Sequence, residues 1–539
     1  MKKILIVILL FTSSLVYSAA NIFTGATDSN WGTSTNWSLG SVPTNADGNI
    51  ATFNSSSPNC TVNTTNRFAN AISFNGYTHT ITMTFAITVS GNVDLTGMTT
   101  GQVVGANAMT INTTSAITGG TWGGNLIFSV ASTTKTITGT LTVSGSFTSL
   151  NTTQTVNGGT LVCNGGLILS GNMTGTTAVT LGGGTWSGAG VLQNSLTLSG
   201  TNTISGSVAY NTGTFTATST STTTTGSTIT CGASTTWNVT SITFNNINFS
   251  ATATQTLSSA MSLNGTLTLT GSQTFSGAFD ITTVNLTSAT SAGTHTLSGN
   301  INVSGTISSG ASTSTVFNGA FNINCTGTVT IGTNWSGTAT LNVSGTSNVN
   351  GATGASIVSM NMNWTSGTIT TTTGFVYRTS TFTISSGITV AFNGTLTLNT
   401  SATVTNNATG VTINTISCGG TTTQTVNGTN GITIGTLQYT GNAATAALSL
   451  KNGNTYTITT AFNTTTATAS VPWLIKSSSG GSTANLILSQ GATQDLGFVN
   501  FTDINASTGQ TIWSYRATLS NTTNINVLPV QPITISTSN

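Results

Sequence analysis

Apolar and polar residues alternate along most of the chain. Between Thr381 and Leu398, seven large apolar residues all fall on even-numbered positions. These are Phe382, Ile384, Ile388, Val390, Phe392, Leu396 and Leu398. Threonine, serine, asparagine and alanine fill most of the odd positions. Because successive side chains of an extended chain point to opposite faces, this period of two predicts β-strands with one buried face and one hydroxylated face.

Short phrases recur along the chain and indicate a repeat architecture. Thr-Gln-Thr-Val-Asn-Gly occurs at 153–158 and again at 423–428, and Gly-Thr-Leu-Thr begins at Gly139, Gly265 and Gly394. In repeat proteins each unit buries its apolar face against its neighbours. The turn residues are glycine, asparagine and serine rather than hairpin pairs, which favours a solenoid over a sandwich or propeller. We therefore predict an all-β fold, a right-handed parallel β-helix (β-solenoid) with roughly 20 residues in each turn.

The ends of the chain differ from its middle. Residues 1–20 contain Lys2 and Lys3, then an apolar run, then the small residues Ser18, Ala19 and Ala20, which suit a cleavage site. This is the layout of a secretory signal peptide. Tryptophan and charged residues are concentrated at 21–66 and 470–539, so we predict capping segments there, around a repetitive solenoid at 67–469. The expected location is secreted, extracellular or on a cell surface.

Charge is scarce, and its scarcity excludes several partners. Only 3% of the 539 residues are charged, so solubility must depend on hydroxyl and amide groups. Without the two lysines of the predicted signal peptide, the chain has six basic residues and six aspartates. The sequence therefore predicts no surface for nucleic acid, no membrane insertion and, because the net charge is close to zero, a tendency to self-association.

Five cysteines are each two positions from an aliphatic residue of the same parity. They are Cys60, Cys163, Cys231, Cys325 and Cys418. This placement predicts buried cysteines that act as small hydrophobic residues, with one or two disulfides as the alternative.

The acidic and imidazole side chains are too dispersed for catalysis or metal binding. Acid–base chemistry on a polysaccharide needs two or three clustered carboxyl groups, and the closest aspartates, Asp495 and Asp503, lie in a predicted cap. His79 and His295 have no cysteine or acidic companion at metal-ligand spacing. We predict no enzymatic activity, no catalytic residue, no metal and no cofactor.

Two groups of residues are candidates for ligand contact. The first consists of tryptophans set among small polar residues, and the second of outward threonine pairs: Trp122, Trp186, Trp335, Trp364, Thr266, Thr268, Thr395 and Thr397. Exposed indoles would suit sugar rings, whereas the same residues would otherwise fill corners of the solenoid interior. The threonine pairs resemble the arrays of ice-binding proteins, and outward threonine is also ordinary strand chemistry.

One segment near the start carries a family resemblance. Asn36-Trp37-Ser38, Gly40, Pro43, Asp47 and Phe53 resemble the opening motif of secreted bacterial repeat proteins with autotransporter-type β-helical passengers. The resemblance implies a secreted or surface β-helical protein with a structural or adhesive role. The last residues do not have the alternating, aromatic-flanked pattern of a membrane barrel, so self-anchoring is not expected.

These observations predict a secreted or cell-surface, non-enzymatic structural or adhesive protein that makes many polar contacts along its length. Its expected partners are surface glycans or copies of itself, and the anchoring partner stays open. The alternatives are a carbohydrate- or ice-binding β-solenoid and a phage-type fibre protein.

Overall fold

A computed structural model describes residues 18–130, 132–150, 153–217, 222–240, 242–288, 293–309, 314–332, 334–351, 356–378, 380–443 and 445–529. These residues form strands, turns and one short 3-10 helix, Ser34–Asn36. Most of the predicted signal peptide, residues 1–17, lies outside the described residues. The chain divides into two compact units, Met1–Thr225 and Gly226–Asn539, a division that the sequence analysis did not predict.

In the first unit, parallel strands stack into three ladders. The first ladder contains Ala20–Ile22, Ile50–Thr52, Ala71–Ser73, Val93–Asp94, the starts of the long strands Ser115–Trp122 and Thr133–Val143, then Thr153–Asn157, Asn172–Thr174, Val191–Leu192 and Ser207–Tyr210. The second begins with a separate three-stranded sheet, Cys60–Val62, Ile81–Met83 and Val103–Val104. It continues as a ladder made of the ends of the two long strands, Thr160–Cys163, Ala178–Leu181, Leu196–Leu198 and Thr214–Ala217. The third contains Arg67–Ala69, Ile87–Val89, Ala108–Ile111, Asn125–Phe128, Phe147–Ser149, Gly166–Leu169, Gly184–Ser187, Asn202–Ile204 and Thr222–Thr223.

The second unit repeats this arrangement. Its first ladder contains Thr228–Cys231, Asn246–Phe249, Thr266–Leu269, Asn285–Ser288, Ile307–Ser309, Val329–Ile331, Thr346–Gly351, Thr368–Thr371, the starts of Thr389–Asn399, Thr412–Cys418, Thr433–Tyr439 and Thr455–Thr464, then Ala484–Leu488 and Ile504–Asn505. Its second ladder contains Thr235–Val239, Ala253–Leu257, Gln273–Ser276, Gly293–Thr296, Ser314–Asn318, the starts of Asn334–Val343 and Ile357–Trp364, Phe375–Arg378, the ends of the four long strands of the first ladder, and Thr493–Asp495.

The third ladder of this unit contains Thr243–Phe244, Met261–Leu263, Ile281–Thr283, Ile301–Val303, Asn322–Cys325, the ends of Asn334–Val343 and Ile357–Trp364, Thr381–Ile384, Thr403–Asn406, Thr423–Gly428, Ala447–Leu450, Trp473–Ser477, Val499–Thr502 and Leu519–Ser520. Two further strands, Ile512–Tyr515 and Ile525–Leu528, pair with each other. Strands that pair are about 21 residues apart, as where Phe392 pairs with Ile413 and Ile413 pairs with Ile434. The predicted all-β parallel solenoid is confirmed.

The core lies between the three ladders and follows the predicted parity. All seven large apolar residues singled out between positions 381 and 398 are buried. Each inward side chain stacks on inward side chains of the neighbouring turns, as in the row formed by Phe382, Val404 and Val426. Full burial of such a side chain contributes about 1.5–3 kcal/mol, so the continuous apolar rows are the main source of stability.

Glycine marks the corners where the chain leaves one ladder for the next. The register shifts between Phe392 and Thr395, and a Cβ on Gly394 would lie 2.5 Å from the carbonyl carbon of Thr373. A Cβ on Gly265 would lie 2.3 Å from an Asn246 side-chain oxygen, and Gly139 has a φ of +80°. Glycine at these positions therefore permits the bends and the close approach of one turn to the next.

Two residues of the family resemblance, Asn36 and Trp37, are buried and hold the loop between the first two strands, whereas Ser38, Gly40 and Asp47 are exposed. Asn36 accepts hydrogen bonds from the backbone N–H groups of Thr27 (2.8 Å) and Asp28 (3.1 Å), and its amide donates to Asp28 (2.6 Å). Hydrogen bonds from the Asn30 backbone and the Asn36 side chain lower the pKa of Asp28. Trp37 donates from its indole N–H to the backbone carbonyl of Trp31 (2.8 Å). The motif thus fixes the loop between Ala20–Ile22 and Ile50–Thr52.

Parallel pairing continues into both predicted caps. Ala20–Ile22 pairs with Ile50–Thr52, and Trp473–Ser477 pairs on both sides, with Ala447–Leu450 and Val499–Thr502. Residues 21–66 and 470–529 therefore contain turns of the solenoid in addition to their non-repetitive loops.

Candidate functional site

The four tryptophans considered for sugar stacking are interior residues. Trp122, Trp186 and Trp364 have no exposed area, and Trp335 is 1% exposed. The indole N–H of Trp122 donates to the backbone carbonyl of Asn125 (3.0 Å), which anchors that ring inside the core. Because none of these rings presents a face to solvent, the interpretation that they contact a ligand is wrong. The alternative, that they fill the interior, describes their observed position.

The threonine pairs do not form one array. Thr266 and Thr268 lie on the first ladder of the second unit, where they pair with Asn285 and Thr287. Thr395 and Thr397 lie on its second ladder. All four are half-buried and point outward, but the two pairs belong to different faces of the solenoid. A single flat surface built from these four residues is therefore ruled out.

An ordered row of asparagines lies on the third ladder of the second unit. Asn302, Asn324, Asn342 and Asn363 occupy the same outward position in four consecutive turns. Each amide N–H donates to the side-chain oxygen of the preceding asparagine, at 2.7, 2.8 and 3.0 Å. We call this row the amide ladder. The row could not be predicted from the sequence, because asparagine is common throughout the chain and the spacing between turns varies from 18 to 22 residues in this row.

A shallow depression of about 210 Å³ lies beside the start of the amide ladder. Thr282, Asn302, Val303, Ser304, Asn324 and Thr326 line it, and most of its accessible surface is apolar. None of these residues is charged, so the depression offers hydroxyl and amide groups alone as hydrogen-bonding partners.

The recurring glutamine phrases have an internal role. Gln154 and Gln255 point into the core, and their amide groups donate to the backbone carbonyls of Val130 and Ala233 (3.2 Å for the latter), in the preceding turn of the solenoid. Gln255 also accepts a hydrogen bond from the indole N–H of Trp237 (3.0 Å). These glutamines donate hydrogen bonds to backbone carbonyls at a corner of the solenoid, between the strand ladders. Each glutamine lies two positions before an aliphatic residue, Val156 or Leu257, and so has the same parity. This spacing would have predicted that the glutamine side chains point inward.

Lys135 is a buried cation. It has no exposed area, and its ammonium donates to the backbone carbonyl of Thr113 and to the hydroxyl of Thr133 (2.7 Å). The ammonium lies 5.6 Å from the centroid of the Phe128 ring. Burial lowers the pKa of Lys135 to about 8. Among the described residues no carboxylate forms an ion pair with it. The hydroxyl of Thr133, the carbonyl of Thr113 and the ring of Phe128 therefore offset the cost of burying its charge.

The two histidines occupy different environments. His79 is exposed. His295 is 1% exposed, lies 5.5 Å from the centroid of the Phe317 ring and finds no hydrogen-bond partner for either ring nitrogen among the described residues. Burial lowers the pKa of His295 to about 4, so the imidazole is neutral at physiological pH. In the part of the chain that the structure describes, no three histidine, cysteine or acidic side chains come together in a group suited to a metal ion.

All five cysteines are buried and unpaired, as the prediction of small hydrophobic residues required. Burial raises the pKa of each thiol, to about 12 at Cys418. A thiol held in its neutral form is a poor nucleophile and a poor metal ligand, so these side chains act as core residues.

The two aspartates closest in sequence also differ. Asp503 is 7% exposed, and its carboxylate accepts hydrogen bonds from the Gly481 backbone (3.1 Å) and the Asn521 side chain (2.5 Å). Asp495 is exposed and accepts no hydrogen bond from any residue that the structure describes. Asp503 is therefore a structural residue, whereas Asp495 is open to a ligand.

No protein-family model, curated protein or solved structure matches the chain. No helix in the described ranges has the length and apolar character needed to cross a membrane.

Proposed function

We propose that this protein is a secreted or cell-surface structural or adhesive element that works without catalysis, through many weak polar contacts. The observation that supports this proposal best is the amide ladder, in which uncharged donors and acceptors repeat on the outside of the solenoid at the spacing of its turns. Neighbouring strands lie about 4.8 Å apart, so a polymer of polar groups that lies along the ladder could contact several asparagines at once.

The contacts would be weak singly and effective together. One hydrogen bond contributes about 0.5–1.5 kcal/mol net in water. Linking several such contacts raises the overall affinity by orders of magnitude, because each later contact forms at a high effective concentration. The amides of the ladder are already held by their neighbours, which reduces the conformational entropy lost on binding.

The low charge gives this proposal a distinguishing property. Binding that depends on ion pairs or phosphates weakens steeply with salt, whereas contacts between neutral hydroxyl and amide groups do not. Adhesion by this protein should therefore persist in about 1 M sodium chloride, where the Debye length is about 3 Å.

A bead-retention experiment tests the proposal. The chain without residues 1–20 is passed over neutral polysaccharide beads of agarose, dextran and cellulose, in low and high salt. We expect retention on at least one of them that is insensitive to salt and is reduced by half or more in the Asn324→Ala/Asn342→Ala variant. Asn248→Ala, which removes an outward asparagine from the first ladder, is the matched control. Failure to bind any of the three surfaces, or elution by salt, would contradict the proposal.

A further inference from the structure

A second surface, near the end of the second unit, has a different character. Its C-terminal groove is a cavity of about 240 Å³ between the strands Thr493–Asp495 and Ile512–Tyr515, lined by Gln494, Asp495, Trp513, Tyr515 and Leu528 among others. This volume is below the roughly 300–1,000 Å³ of sites that enclose drug-sized ligands, so it suits a single small ring.

Trp513 sets this groove apart from the rest of the molecule. Eight of the nine tryptophans are at most 2% exposed, whereas Trp513 is 42% exposed. Ile512 and Ser514 on the same strand are buried, so the alternation of the strand holds the indole on the outside. An exposed indole leaves a large apolar face in contact with water, which a flat apolar ligand face would relieve.

The groove is also held in shape from within. The side-chain oxygen of Gln494 accepts a hydrogen bond from the backbone N–H of Trp513 (2.8 Å), and its amide donates to the carbonyl of Thr511 (3.1 Å). Gln494 therefore ties the strand that carries Trp513 to the strand that carries Asp495. Because the carboxylate of Asp495 accepts no hydrogen bond from the described residues, its oxygens are free to accept from a ligand in the groove that Trp513 also lines.

The local charges favour a neutral ligand. The guanidinium of Arg516 lies 5.1 Å from the centroid of the Tyr515 ring, so this protein cation already occupies one face of that ring. An anion would be repelled by the carboxylate of Asp495, and a cation would find one face of Tyr515 already covered by Arg516, whereas a neutral ligand with several hydroxyl groups would be matched by the carboxylate and the indole.

We propose that the C-terminal groove binds one pyranose ring of a neutral sugar. The C–H face of the sugar packs on the indole of Trp513, and its hydroxyl groups donate to the carboxylate of Asp495. This inference deepens the proposed adhesive function and rests on it, since it names a sugar class and a discrete site in addition to the amide ladder.

The test uses the full chain and a panel of methyl glycosides, namely those of glucose, galactose, mannose and N-acetylglucosamine. Binding is measured by saturation-transfer difference NMR, with titration of the best binder. We expect at least one glycoside to bind, Trp513→Ala to weaken it by about tenfold or more, and Asp495→Asn to weaken it severalfold. Val527→Ala, which truncates another exposed apolar side chain (42%), is the control and should bind like the parent chain.

The inference would be overturned if no glycoside bound, or if Trp513→Ala bound a glycoside as well as Val527→Ala does. A special case of the first outcome is that no glycoside binds to any variant while Trp513→Ala abolishes self-association. The last outcome would make the groove a contact between copies. The same variants separate this inference from the adhesive proposal. Salt-insensitive retention on beads by a chain that binds no glycoside refutes the groove alone, whereas glycoside binding without retention refutes the adhesive proposal.

Discussion

Replacing Lys135 with methionine is expected to stabilise the protein at neutral pH, because the substitution removes a charge from the core and keeps a side chain of similar length. Burial lowers the pKa of Lys135 from 10.5 to about 8. This difference corresponds to about 3 kcal/mol of stability lost to the buried ammonium at neutral pH.

Part of that gain is offset by lost hydrogen bonds. After the substitution the carbonyl of Thr113 still accepts from the hydroxyl of Ser115 (3.3 Å), and the hydroxyl of Thr133 still donates to Gln154 (2.9 Å). We therefore allow about 1 kcal/mol for the remaining loss, which leaves a net stabilisation of about 2 kcal/mol.

The pH dependence of this effect has a definite sign. Between about pH 8 and pH 10.5 the unfolded chain binds a proton at Lys135 that the folded chain does not, so the stability of the parent protein contributed by this group rises with pH across that window. The advantage of Lys135→Met should therefore be largest below pH 8 and shrink by about 1.4 kcal/mol for each pH unit above it. Groups common to both proteins, including the cysteines, cancel in the difference.

Urea unfolding followed by circular dichroism, at several values between about pH 7 and about pH 10, measures this difference. Lys476→Met is the control, because Lys476 points outward from the strand Trp473–Ser477 and is half-buried. A Lys135→Met variant that is less stable than the parent at about pH 7, or an advantage that does not change with pH, would show that burial does not lower the pKa of Lys135 as described.

Three further predictions concern the core. Phe392→Asp should prevent folding, because it buries an unpaired charge, whereas Thr397→Asp on the outer face should fold; circular dichroism distinguishes them, and a folded Phe392→Asp chain would show that the assigned faces are reversed. His295→Phe should gain stability over the parent as pH falls from about 6.5 to about 4, by up to about 3 kcal/mol, because the unfolded chain alone takes up the proton in that range; an advantage that is the same at both pH values contradicts this. Iodoacetamide should label no cysteine in the native protein and all five in urea, as judged by mass spectrometry; labelling of the native chain, or fewer than five thiols in urea, would oppose the observed burial.

The strand pattern was predictable because one rule, the alternation of sides, acts at every position. It placed Phe392 and Leu396 in the core, and it also gives Lys135 the parity of Ile137, so the buried lysine was within reach of the same reasoning. These features depend on neighbours in sequence, which a strand fixes directly.

The candidate sites depend on which residues meet across turns, and this information is absent from local alternation. The assignment of Thr266 and Thr395 to different ladders requires the register shifts at each corner, such as that between Phe392 and Thr395. The amide ladder likewise depends on turns of unequal length. Trp513 is the exception: composition did not separate it from the eight buried tryptophans, but its parity, opposite to that of Ile512, was a local signal of its exposure.

The short sequence separation of paired strands also determines how the protein can fold. Partners lie about 21 residues apart wherever they fall in the chain, so the relative contact order is only about 0.04, below the values typical of small helical proteins. Closing each new turn costs the entropy of one short loop, and the turn already formed supplies the template for the next. A chain built in this way can grow one turn at a time from a nucleus, without waiting for distant segments to meet.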